Sequence, residues 1–420
     1  MSAIEIVSLA GSIAAVITAV FGLWYQARTL KRKEKELQHK IEYDWKEFQE
    51  KYASPEDLTN KWLDGIDSPK EVHEDSLLEI GYPYLAGAPV RRPELFYGRR
   101  DLLEECIKCG NGEQMASLSI LGARRAGKTS FLRFLEYSLG ADRYPQIVPV
   151  YLDAQTPIKS CENFYAYMLR EAMQALEKRN INIPRAPDLP KEVPYDTLST
   201  FFKQAGERHW RFLLLLDEME NLVKFSNIFD EKFFSGMRAL IQIGQVSWIT
   251  SSFRTVYMPN TTSSPFLNII QATHYIGPLT EQDARRLVVE PAARAGHFFE
   301  EKDIEAILHS AGRMPFLIQK AALLLYKSHI SNVRGEEARR QLASSFTLEM
   351  QNYLQSQLTH LTKEEYDTLV QVVRQDEIDE DSHALRILQN YGFVEKVNER
   401  YQILGETFAD YLYRYSKTAH

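Results

Sequence analysis

The sequence predicts an α/β protein, a parallel sheet with helices on both faces, carried behind an N-terminal transmembrane helix. Three observations predict it. Short apolar strands alternate with helical segments between Ser117 and Ile276. A glycine-rich loop of the phosphate-cradling kind joins the first strand to the first helix. The chain begins with an uncharged run of 22 residues, Ile6 to Ala27.

The background composition is ordinary. The 420 residues are 44% hydrophobic and 25% charged, with net charge −7. Such values exclude a disordered, collagen-like or disulfide-stapled chain, and the length suggests two or three domains. Mild acidity argues against coating nucleic acid through bulk charge and leaves a local basic patch open. Three cysteines fit a reducing compartment.

The N-terminal run is long enough to cross a hydrocarbon core of about 30 Å as a helix. Trp24 and Tyr25 stand where an aromatic belt belongs. Six basic residues follow between Arg28 and Lys40 (Arg28, Lys31, Arg32, Lys33, Lys35 and Lys40) against two acids, Glu34 and Glu36. The positive-inside rule then puts the rest of the chain in the cytoplasm, so a single-pass protein of the inner (cytoplasmic) membrane is expected. A cleaved signal peptide would carry its basic residues before the apolar run, and a buried soluble helix would not be apolar all round. Gly11, Ala15 and Ala19 share a face on which a second helix could pack closely, a weak signal. Residues 28–83 read as stalk and linker. Leu37, Ile41, Trp45, Phe48 and Tyr52 keep helical spacing, which suits a partner-binding stalk or an ordinary surface helix equally. Pro55, Gly65, Pro69 and Pro83 punctuate the charged linker at residues 53–83.

The chemical core begins with the alternating strand Ser117 to Leu121. The loop Gly122-Ala123-Arg124-Arg125-Ala126-Gly127-Lys128-Thr129-Ser130 comes next and matches G-x-x-x-x-G-K-[ST] in full. Its glycines let successive amide N–H groups turn toward phosphate oxygens. The following helix, Ser130 to Tyr137, adds its positive dipole end and turns Phe131, Leu132 and Leu135 to the sheet. Lys128 is expected on the β/γ-phosphates and the Thr129 hydroxyl on Mg²⁺. A second strand is expected over Ile147–Asp153. Phe212 to Leu216 is an apolar run fit for a central strand, and it delivers Asp217 to hold Mg²⁺ through water and Glu218 to polarise the attacking water. Both acids together argue for hydrolysis of a nucleoside triphosphate and not merely for binding. On the next helix Arg238 is a candidate trans-acting arginine, with an ordinary surface arginine the favoured reading. Strands at Val246–Ser252 and Thr273–Ile276 complete the sheet. Cys106 and Cys109 form one C-x-x-C without a second pair, which gives no basis for a zinc or redox role.

Several stretches resemble AAA-like and STAND-type P-loop ATPases. Phe96-Tyr97-Gly98-Arg99-Arg100-Asp101 is similar to their N-terminal box near the base, with Arg100 where Glu is usual. The double arginine at 124–125 is typical of the group. Gly277 to Ala284 resembles the start of their helical lid. Gly312-Arg313-Met314-Pro315 resembles their G-x-P motif, whose proline approaches adenine; Arg313 stands where many members have His. The resemblance implies a polar γ-phosphate sensor at the end of the fourth strand, from Ser251, Ser252 or Thr250. The resemblance covers about residues 84–415; with the anchor (1–27) and the stalk and linker (28–83) read above, it divides the chain further into ATPase core (84–277), lid (278–340) and a C-terminal piece (341–420).

That last piece reads as helices, a hairpin and a helix. Thr362 caps one helix, and Gly392 closes another, running from Ala384. Strands at Phe393–Val397 and Arg400–Leu404 pair across Asn398-Glu399, and a final helix carries Phe408, Leu412 and Tyr415. It looks like a winged helix. Its candidate recognition helix offers only His383 and Arg386 behind the acids Asp376, Glu377, Asp379, Glu380 and Asp381, a field that repels DNA. The resulting expectation is a membrane-anchored, ATP- and Mg²⁺-dependent switch that signals to or recruits a protein partner or further copies of itself, with a role in bacterial defence as a guess from the resemblance. A membrane-tethered nucleic-acid motor and a non-hydrolysing, nucleotide-stabilised scaffold are the alternatives.

Overall fold

The computed structural model describes residues 83–90, 92–112, 115–179, 190–243, 245–254 and 269–418. The chain divides after Ile80 into two units, and all of these residues lie in the second. The expected span at Ile6–Ala27, the stalk and the linker up to residue 82 are outside the described residues. Among the described residues no helix is long and apolar enough to cross a membrane.

The described chain runs α1 (Arg100–Asn111), β1 (Ser117–Leu121), α2 (Lys128–Ser138), β2 (Ile147–Asp153), α3 (Cys161–Glu177), α4 (Tyr195–Glu207), β3 (Arg211–Asp217), α5 (Glu220–Lys224), α6 (Glu231–Gln242), β4 (Val246–Ser252) and β5 (Ile270–Tyr275). These strands form one five-stranded sheet in the order β2-β3-β4-β1-β5, parallel throughout. The order places β4 between the loop-bearing strand β1 and the acid-bearing strand β3.

The apolar run in β3 explains its central place. Phe212 to Leu216 are each at most 2% exposed, and their side chains alternate between two cores. Leu213 and Leu215 join Phe131, Leu132 and Leu135 of α2 on one face. Phe212, Leu214 and Leu216 join Phe164 of α3, Phe202 of α4 and Phe233 of α6 on the other. A strand covered on both sides has no polar face to alternate, which is why its sequence is unbroken leucine. Edge strand β5 is less buried and reads Ile270-Gln271-Ala272-Thr273-His274-Tyr275.

Three helices follow the sheet, α7 (Glu281–Arg294), α8 (Glu301–Ala311) and α9 (Pro315–Ile330), then α10 (Gly335–Leu358), α11 (Lys363–Arg374), α12 (His383–Tyr391), the hairpin β6 (Val394–Val397) and β7 (Arg400–Ile403), and α13 (Glu406–Thr418). Local signals set their ends. Thr280 caps α7 by accepting from the Asp283 N–H. Thr362 and Glu365 form a capping box on α11. Gly392 ends α12 with φ of 74°. Asn398 and Glu399, both at positive φ, turn the hairpin.

The structure departs from the sequence-based expectation in a few places. Helix α10 runs unbroken through residues 340–341, where a domain boundary is expected, because its buried face of Ala338, Leu342, Phe346, Met350 and Leu354 keeps a four-residue repeat across it. The fifth strand starts earlier, at Ile270. On the last helix Phe408 and Leu412 are buried, but Tyr415 is 41% exposed and stacks on Tyr411.

Candidate functional site

The loop between β1 and α2 is shaped by two glycines. Gly127 has φ of 103°, a region side chains rarely enter. At Gly122 an added Cβ would lie 2.6 Å from the Ile276 carbonyl oxygen, so the exits of β1 and β5 meet there without room for a methyl. Between them Arg125 takes φ of 62°, a strained geometry for a residue with a side chain. Its guanidinium lies over the Phe316 ring at 4.3 Å, a contact of roughly 0.5–1 kcal/mol that offsets part of the strain. Ala123 and Ala126 are buried.

Lys128, the first residue of α2, folds its ammonium back over its own loop. Nζ donates to the carbonyls of Gly122 at 2.9 Å and Ala123 at 3.2 Å. Burial pulls its pKa down, and the charges of Glu218, Glu220 and Asp217 oppose that pull. Ser130, on the next turn, accepts the Val90 N–H at 3.0 Å. The segment ahead of α1 is thereby pinned to the phosphate loop.

The acidic half sits where β3 ends. Asp217 is 2% exposed, and both of its oxygens are occupied. Oδ1 accepts from the Ser251 hydroxyl and from the Glu218 N–H at 3.1 Å; Oδ2 accepts from the Tyr151 hydroxyl at 2.9 Å. Burial, then the Asp217 charge, raises the Tyr151 pKa, which keeps it a donor. Glu218 turns the other way at φ of 55° and faces the cavity. Burial first, and then the neighbouring Glu220 carboxylate, push its pKa up.

One cavity of about 340 Å³ gathers the phosphate loop and Glu218, whereas Asp217 and Tyr151 are not among the residues that line it. Its polar end is lined by Arg124, Arg125, Ala126, Gly127, Lys128, Thr129, Ser130, Gln155 and Glu218. Its apolar end is walled by Phe96, Ile276, Leu279, Leu287, Pro315 and Phe316, with Tyr97 and Gln319 adding polar tips. A basic end beside a helix N-terminus suits phosphates, and an end walled by apolar and aromatic side chains suits an aromatic base. The Thr129 hydroxyl and the Asp217 carboxylate are hard oxygen donors of the type Mg²⁺ takes alongside phosphate and water.

Other residues singled out by sequence fall elsewhere. Ser251 does not line the cavity; fully buried, it donates to Asp217 and acts on the site from behind. Arg238 is exposed on α6 and is not brought to the cavity of its own chain. Arg313 points away, with Nε on the Leu279 carbonyl at 3.0 Å and an ion pair to Glu395 at 3.1 Å. Cys106 and Cys109 lie on α1 as free thiols whose pKa burial raises.

Sequence reasoning gave no role to Tyr151, Gln155, Glu220 and Gln319, and held Arg99 only as one letter of the box near the base. Arg99 donates to the carbonyls of Gly277 and Pro278, and burial lowers its pKa to about 10. Gln319 had a signal, since it stands one helical turn after Pro315. Glu220 had one in its spacing from Asp217. Tyr151 had none, because an aromatic inside a strand reads as core.

A parallel sheet with an extra strand between loop and acid, covered by a helical lid at the phosphate loop, defines a nucleotide-binding P-loop ATPase fold. Residues 82–386 match the family described as Novel STAND NTPase 1, and the chain belongs to that family. No curated protein matches the chain. Among solved structures it is similar to the Walker-type ATPase PABY2304 of Pyrococcus abyssi, with TM-score 0.55 and 14% identity over 78% of this chain and 98% of that one. The ORC2 protein of Aeropyrum pernix gives TM-score 0.46 at 12% identity over 82% and 98% of the two chains. The RuvB branch migration motor of Thermotoga maritima gives 0.41 at 13% over 78% and 97%. At such identities the first likeness speaks to the fold alone.

Proposed function

We propose that the protein is a membrane-tethered ATPase switch. ATP would lie with its phosphates on residues 122–130 and its base in the apolar end beside Pro315, and Thr129 and Asp217 would hold Mg²⁺. Hydrolysis uses Glu218 to polarise the attacking water and Lys128 to neutralise charge on the phosphates. The observation that carries this reading is that one cavity is walled by the phosphate loop, the catalytic acid and the first turn of α9 together. A ligand filling it touches core and lid at once, so its presence biases their relative arrangement.

The tether rests on the apolar run Ile6–Ala27 and its basic collar, which also support an inner-membrane location with the body in the cytoplasm. The segment 341–420, with its helices, hairpin and acidic approach, is read as a winged helix that meets protein and not nucleic acid. Arg238, exposed on α6, remains the residue through which a second copy could reach a neighbour's phosphate. A defence role rests only on the company STAND-type proteins keep.

Turnover of ATP by the full chain tests the reading. Wild type is expected to release phosphate in a Mg²⁺-dependent way. Glu218→Gln is expected to bind ATP and turn over at least about 100-fold slower, the scale on which general-base losses fall. Lys128→Ala is expected to lose tight ATP binding. A wild-type rate no higher than that of Glu218→Gln would sink hydrolysis, and tight binding by Lys128→Ala would sink the site.

A further inference from the structure

The end of β4 joins two parts of the molecule that the cavity does not. Ser251 touches Asp217, and two residues later the chain reaches Phe253, whose peptide groups point opposite ways. Its N–H donates to Glu220 Oε1 at 3.2 Å. Its carbonyl accepts the Tyr391 hydroxyl at 2.8 Å, from the last residue of α12. The Phe253 ring lies 5.1 Å from the Tyr391 ring and 5.2 Å from the His360 ring.

Arg254 fastens the same strand end more firmly. Its Nη1 donates to Glu365 Oε1 at 2.8 Å and its Nη2 to Oε2, a two-pronged ion pair. Nε and Nη2 also donate to the His360 carbonyl. Glu365 is 4% exposed and is the capping-box acid of α11. An exchange of partners here would leave a buried charge unpaired, so the joint is stiff.

Glu220 is the other end of the linkage. Its Oε1 is held by Phe253, while its Oε2 is shielded from solvent with no hydrogen-bond partner among the described residues. The same end of β4 also holds the peptides around Glu218: the Glu218 N–H reaches Ser251 Oγ at 3.4 Å, and the Met219 N–H donates to the Ser251 carbonyl at 2.9 Å.

We propose that Glu220 is a positioning residue for Glu218, and that α11 and α12 set its place through the Phe253 peptide and Arg254. In the arrangement seen here the clamp holds Glu220 beside Glu218 and restrains the catalytic acid. Nucleotide that moves Glu218 moves the clamp in turn, and the C-terminal helices feel the state of the site. The inference rests on the ATPase reading for the role of Glu218, but the linkage can be read without turnover.

Two measurements on the full chain test it. Tyr391→Phe removes one hydroxyl from a residue that does not line the cavity and keeps the ring. It is expected to raise ATP turnover at least threefold while the Kd for a fluorescent ATP analogue stays within twofold. Glu220→Gln is expected to raise turnover as well, and the double variant to be no faster than the faster single one. An unchanged or lower rate in Tyr391→Phe overturns the restraint, as does a simple product of the two effects. The second measurement is hydrogen exchange across residues 361–392, with and without a non-hydrolysable ATP analogue and Mg²⁺. Protection in this segment is expected to change on binding in wild type and to stay constant in Glu220→Gln. No change in a wild type that binds the analogue overturns the linkage. A wild type that does not turn over ATP sinks the ATPase reading, and the exchange data still decide the linkage.

Discussion

Single residues in this molecule act by where their backbone forces them to be. Gly122 is the clearest case, because an added methyl would sit 2.6 Å from the Ile276 carbonyl, inside van der Waals contact with backbone that cannot turn aside. Gly122→Ala is expected to lower the thermal midpoint by several degrees and weaken nucleotide binding at least tenfold; a variant with unchanged midpoint and affinity would show that the β1–β5 junction is looser than described. Arg125 is a contrasting case. It accepts positive φ without a glycine's freedom and leans on Phe316 of the lid. The residues that a local pattern marks were legible as places in the fold: the loop, Glu218 and Pro315 wall one cavity, and Asp217 ends β3 next to Glu218. Residues that act through a distant partner were not. Arg99 meets Gly277 and Pro278 across nearly the whole core, and nothing in its neighbourhood announces that contact.

At the scale of elements, the strands were legible because β3 is unbroken apolar and β1 alternates, and the caps of α11 and α12 were legible because Thr362 and Gly392 are strong local signals. The extent of α10 was not, since its repeat of buried residues crosses an expected boundary that only tertiary packing can decide. The lid holds a buried charge network that sequence could not suggest. His297 Nε2 and His329 Nδ1 lie 3.1 Å apart where α7, α8 and α9 meet. Asp303 faces His329 at 3.7 Å, and Arg339 binds Asp303 at 2.7 Å, with Arg334 nearby. Burial is the main force lowering both histidine pKa values, and the positive charge of Arg334 adds to it. A folded state that resists protonating these rings binds fewer protons than the unfolded chain. Their contribution is therefore intact above the ordinary histidine range near about 6.5 and is lost as pH falls below it. The urea midpoint is expected to drop between pH 7.5 and 5.5, and to drop less in His297→Gln. An equal drop in both proteins would remove this pair from the account.

At the scale of the whole molecule, average composition conceals an uneven distribution. A basic collar beside an apolar run is followed at residues 41–80 by 12 Asp+Glu against 4 Lys+Arg, while residues 81–420 are nearly balanced, 42 acids against 40 basic residues. The concentrated positive charge therefore lies at the collar, which fits a chain held at an anionic membrane surface. Full-length protein is expected in the membrane fraction and resistant to extraction by high salt, whereas residues 81–420 alone are expected in the supernatant and still able to bind ATP. Recovery of the full chain in the supernatant would remove the anchor. Failure of the shorter chain to bind would show that the cavity needs residues before 81.

The pinning of residues 83–99 carries a mechanical consequence. This stretch is the covalent link from residues 1–80 into the folded body. It is also a wall of the cavity through Phe96 and Tyr97, is tied to the phosphate loop by Val90 and Ser130, and is tied to the start of the lid by Arg99. A load applied to the leading residues therefore enters the body at the wall of the cavity before it reaches the sheet. In a chain tethered and loaded with nucleotide as proposed above, tension and occupancy of the site would share one set of contacts, and pulling force would trade against ligand affinity without a separate sensor.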